Sequence, residues 1–162
     1  MHWLTTTGGP LLLLGRSYLD RWMGLGTDYE RACGVRGYLG VLNVGPAEAL
    51  VLGEEPMQTS VWSPADSTVV LIRWRYARDD KSVGRLLAGL GKEQLGPGRV
   101  VLDFREADVR LFDCAVAGKT SGSDAAGHLD ISLISSRVSV STDIWEPDKE
   151  TCLILHCIRS AL

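Results

Sequence analysis

A chain of 162 residues, 45% hydrophobic and 23% charged, is long enough for a packed domain and too apolar for extended disorder. A formal net charge of −3 argues against a nucleic-acid partner, because counterion release needs clustered Lys and Arg. No apolar run approaches the ~20 residues of a membrane-spanning helix, so no membrane partner is expected.

The first element is announced by TTTGGPLLLLG, Thr5 to Gly15, which invites three readings. As a secretion signal it lacks a basic lead, and Leu11–Leu14 falls short of the ~7–15 apolar residues required. A cytoplasmic location is therefore expected. As a phosphate loop it lacks the closing Lys and Ser or Thr, and the glycines precede a strand rather than a helix. What remains is a turn at Gly8-Gly9-Pro10 entering a short strand buried on both faces.

SYLDRWMG follows with a capping-box-like start, Ser17 and Asp20, and with Leu19, Trp22 and Met23 on one helical face. DYERAC adds a further helical turn. GYLGVLNVGPAEALVLGEEP reads as two strands joined at Gly45-Pro46, the second being Ala49 to Leu52. TVVLIRWRY alternates, with Val70, Ile72, Trp74 and Tyr76 on one face and Arg73 and Arg75 on the other. The clearest helix is DDKSVGRLLAGLGKEQ, capped by Asp79 or Asp80, with Val83, Leu86, Leu87 and Leu90 forming a core-facing stripe.

LGPGR, residues 95–99, is the best boundary. Beyond it RVVLDF, DVRLFDCAV, HLDISLI, RVSVSTDIW and TCLILHCI all read as strands, around a mobile Ser/Gly/Ala-rich loop at 119–127. The expected fold is α+β. It has a mainly antiparallel sheet, two helices in the N-terminal part and a β-sandwich-like C-terminal part. One domain, 1–162, is expected, divisible into an α+β part (1–95) and an all-β part (99–162).

No reaction is advertised. Cys33, Cys114, Cys152 and Cys157 show no CxxC pairing and sit among apolar residues, as reduced structural thiols do. CLILHC places Cys152 and His156 on one strand face and Cys157 on the other, an incomplete ligand set, so neither a metal nor another cofactor is expected. His156 reads as a hydrogen-bonded core or rim histidine. With no GxSxG elbow and no Ser-His or Cys-His pair, no catalytic residue is nominated and the chain is read as a non-enzyme. Trp62 and Trp145 adjoin loop residues and read as exposed anchors.

In order and spacing, GGPLLLL, DYERAC with GYLGVLNVG, ALVLGEEP, VLIRWRYA, LFDCAVAG, LDISL, VSVST and PDKETCLILH resemble the immunity protein 21 family of bacterial polymorphic toxin systems. The resemblance spans nearly the whole length. It breaks at Ser135-Ser136-Arg137, where Pro-Gly is expected, and at Cys157, where a basic residue is expected. It implies an α+β protein that binds a cognate toxin and prevents self-intoxication by stoichiometric occlusion, but it carries over no binding residue by position.

The surface must come from the residues themselves. Inhibitors of basic-groove toxins present acidic side chains, which steer encounter. Asp143, Glu146 and Asp148 around Trp145 are the expected toxin contact, with Glu54 and Glu55, set in a solvated turn, as a secondary rim. Two rivals stand beside this reading: a small-ligand-binding or enzymatic domain with a pocket between helix and sheet, and an interaction module without a toxin.

Overall fold

The four leucines of the first strand face two different cores, and that fact organises the molecule. The structure is a computed structural model that describes residues 1–53, 55–65, 67–91, 95–96, 99–123 and 127–161. Among these the strands are β1 (Leu11–Gly15), β2 (Leu39–Val44), β3 (Ala47–Leu52), β4 (Thr59–Ala65) and β5 (Thr68–Tyr76). They continue with β6 (Val100–Asp103), β7 (Asp108–Asp113), β8 (Leu129–Ser132), β9 (Arg137–Asp148) and β10 (Thr151–Ser160). The α-helices are α1 (Thr27–Cys33) and α2 (Asp80–Ala88), with short 3₁₀ helices at Arg16–Arg21 and Gly118–Thr120.

The strands form two five-stranded sheets, ordered β2-β3-β1-β7-β8 and β4-β5-β10-β9-β6. Every pairing between them is antiparallel. Between the sheets lies a core to which β1 contributes Leu11 and Leu13, meeting Leu71, Val140 and Ile158 from the second sheet. Leu12 and Leu14 point the other way, into a second core closed by Leu19, Trp22 and Ala32 of the 3₁₀ helix, its C-cap and α1. The second sheet likewise buries Val70, Ile72, Leu153 and Leu155 beneath Val83 and Leu87 of α2. Helices thus cover both outer faces, and a strand such as β1 has no wet side to mark with polar residues.

The helix stripe expected after Asp79 is present. The Asp79 carboxylate accepts the Ser82 backbone N–H at 2.7 Å and caps α2; Val83 and Leu87 are buried, while Leu86 and Leu90 are half-buried. The helix ends at Ala88, and residues 92–94 of the expected span lie outside the described residues. Residues 97–98 and 124–126, within the expected boundary and loop, do so as well.

Several expectations need correction. SYLDR forms a 3₁₀ helix, not an α-helix with a capping box: Ser17 gives its backbone N–H and hydroxyl to Glu106, from the β6–β7 connection. Met23 leaves the buried face and stands 69% exposed. The cause is Gly24, which turns with φ +77° so close to residues 115–117 that a Cβ would lie 2.7 Å from the Ala115 carbonyl oxygen. The sandwich is not confined to the C-terminal part, since each sheet takes strands from both sides of residues 95–99. β4 was not foreseen; it carries Pro64, which a sheet edge and a register irregularity both tolerate. Trp62 is half-buried against the core under α2 rather than an exposed anchor, and Cys33 is exposed rather than buried. No helix among the described residues is long and apolar enough to cross a membrane.

Candidate functional site

Strands β5, β9 and β10 meet at one end of the second sheet, where Cys152 pairs with Tyr76 and Thr151 with Asp148. Their register slips there: Arg75 is an extra residue in β5, and β9 carries one between Trp145 and Asp148. Such bulges re-aim side chains. The Glu146 carboxylate reaches the Cys152 thiol, which burial and then this contact hold above its usual pKa. Arg75 is held further towards its cationic form, first by Tyr38 and then by Cys152, with Glu55 adding to the effect. Desolvation, then the charges of Glu146 and Asp148, push the Tyr76 phenol up.

Glu55, far from Glu146 in sequence, thus acts on the same Arg75 guanidinium that Cys152 holds cationic. Glu55, Glu146 and Asp148 are exposed, whereas Glu54 lies outside the described residues. These β9 acids stand on a strand, not in a loop, because β9 runs on to Asp148. Alternation up to the bulge then separates the residues: Thr142 and Ile144 share one face, and Asp143 and Trp145 the other, while Glu146 in the bulge reaches Cys152. Asp143 accepts the Gly96 backbone N–H at 3.2 Å, and Trp145 packs half-buried against the core under α2.

Behind this end the sandwich interior holds the polar side chains of Arg73 and His156. Arg73 is 2% exposed, and its Nη2 donates to the Glu55 carbonyl oxygen at 2.8 Å. His156 is fully buried, with Nδ1 2.9 Å from the Thr142 hydroxyl. Burial, then the charge of Arg73, lowers its pKa to about 3, so the ring is neutral at physiological pH. Residue-level reasoning found His156 and missed Arg73. The signal was available: Val69 and Leu71 share a face with Arg73, and a face that starts apolar points inward.

Gly8-Gly9-Pro10 does more than set strand entry. Together with Cys33–Arg36, Gly53 and Glu55 it walls an open cleft of about 560 Å³. Close packing requires glycine at its base, since a Cβ on Gly9 would stand 2.7 Å from the Tyr29 ring. Its charged lining side chains among the described residues are Arg36 and Glu55, which make no nucleophile–base pair. Among the described residues no group of three or more His, Cys, Asp or Glu could hold a metal ion. All four cysteines are free, and burial first, then Asp113, raises the Cys114 thiol to about 12.

Compared with known proteins, residues 2–151 match the model of a family described as Immunity protein 21. No curated protein and no solved structure matches the chain.

Proposed function

The chain belongs to the immunity protein 21 family, and on that premise we propose that it binds a cognate protein toxin and neutralises it by stoichiometric occlusion, with no chemistry of its own. The family match over residues 2–151 carries the reading. It is supported by an end of the molecule rich in exposed acids, Glu55, Glu146 and Asp148. The contact surface is Glu146 and Asp148, with Glu54 and Glu55 as its rim; Asp143 and Trp145 fix the strand from behind. Its site of action is the cytoplasm, where buried free thiols stay reduced.

The test first looks for a toxin domain encoded beside the gene for this chain, and then uses that domain. Co-expression should protect cells, and one equivalent of purified protein should abolish toxin activity through a 1:1 complex. A toxin that stays active under excess protein overturns the proposal. Glu146→Lys with Asp148→Lys should slow association most at low ionic strength while leaving the melting temperature nearly unchanged. A wild-type association rate at low salt would move the contact elsewhere.

A further inference from the structure

The toxin-binding reading leaves open which toxin feature the surface receives, and the inference here rests on that reading. β2 is the edge of the first sheet, and β6, beside β9, is the edge of the second. Between these edges a groove of about 330 Å³ opens, lined by Tyr38, Leu39, Val100, Val140 and Ile144, with Thr142 and Arg99 completing it. Its walls are the rim of the inter-sheet core: Val140 belongs to that core, and Leu39 and Val100 pack against it. Val140 is fully buried there, and Leu39 and Val100 are half-buried.

The groove runs into the acidic end by two routes. Ile144, 52% exposed, pairs with Ile154, and Cys152, two residues back on the same face of β10, takes the Glu146 carboxylate. Tyr38 lines the groove and also neighbours Arg75. The lining favours an apolar guest. Among the described residues its polar groups are the Arg99 guanidinium at the exposed margin, the Tyr38 phenol and the Thr142 hydroxyl, which is already engaged with His156 Nδ1. An apolar centre beside a charged rim is the anatomy of an energetic hot spot.

We propose that this groove is the anchor point for the toxin, receiving an apolar side chain of a toxin segment whose adjacent Lys or Arg meets Glu146. The experiment compares Ile144→Ser with Val101→Ser in binding to the same toxin domain. Val101 is an ideal control: it is also 52% exposed, but it pairs with Ser139 and faces away from the groove. Ile144→Ser should weaken binding about tenfold or more, mainly through faster dissociation, with little change in melting temperature. Val101→Ser should bind as wild type does.

A photo-crosslinking amino acid at position 144 should attach to a toxin peptide with an apolar residue next to Lys or Arg. Equal effects of the two serine variants, or a crosslinked peptide lacking a basic neighbour, overturn the groove while the function reading stands. A wild-type dimer that Ile144→Ser dissolves does the same, since a second copy is then the occupant. If the wild-type chain itself fails to bind the toxin, both readings fall.

Discussion

His156 sits where its cation cannot be solvated. Its folded pKa of about 3, against an ordinary 6.5, fixes the sign of its effect on stability. Above pH 6.5 the ring is neutral in both states and its contribution is constant. Between 6.5 and 3 the unfolded chain takes up a proton that the folded chain refuses, so stability falls as pH falls, by about 1.4 kcal/mol per unit at most. Carboxylates held low, such as Asp130 bonded to Arg110, lose their contribution only at more acid pH, below the ordinary carboxylate value of 3.8. A loss between pH 6.5 and 4.5 therefore reports His156. Urea unfolding at pH 7, 5.5 and 4.5 should show it in wild type and a flatter profile in His156→Asn, and equal slopes would contradict a neutral ring. That this histidine is buried and hydrogen-bonded was legible from its apolar strand. Arg73 was overlooked although Val69 and Leu71 mark its face as apolar, because alternation implies one buried face and one wet face, and here both faces of the sheet are covered.

At the scale of elements, α2 shows what periodicity can establish. Its stripe and its cap are both visible in residues 79–90, and the helix lies where they place it. Leu87→Ala should cost about 2–5 kcal/mol, as truncation of a buried leucine does, read as a fall in the urea midpoint. Trp145 belongs to the same layer, packed on the core beneath α2. Trp145→Ala should thus lower the melting temperature clearly, where Glu146→Lys in the bulge should not. An unchanged melt for Trp145→Ala would place the indole in solvent. Trp145 looked like a loop anchor because a strand ending at the tryptophan seems complete in sequence. The pairing of Asp148 with Thr151 extends it, and that pairing depends on β10, which local pattern does not reveal. The same limit hid β4, whose Pro64 argues against a strand until its edge position is known.

For the whole molecule, the composition shift at residues 95–99 marks where α-helices stop among the described residues, while strand pairing runs straight across it. β1 lies against β7 from Leu11↔Asp113 to Gly15↔Val109, and β5 lies against β10 from Tyr76↔Cys152 to Thr68↔Arg159. Cut at that point, residues 1–95 would expose the leucine-rich edge of β1 and the open edge of β5. Residues 99–162 would leave β7 and β10 without those partners. Unpaired, apolar edges of this kind template aggregation rather than folding. The full chain should therefore unfold in one cooperative transition, with far-UV circular dichroism and tryptophan fluorescence superimposing along a urea titration. Fragments 1–95 and 99–162, expressed separately, should show no cooperative melt alone and should regain toxin binding only when refolded together. A cooperative melt of fragment 1–95 by itself would mean that the N-terminal strands close a core without their partners, and the chain would then be two units joined at 95–99.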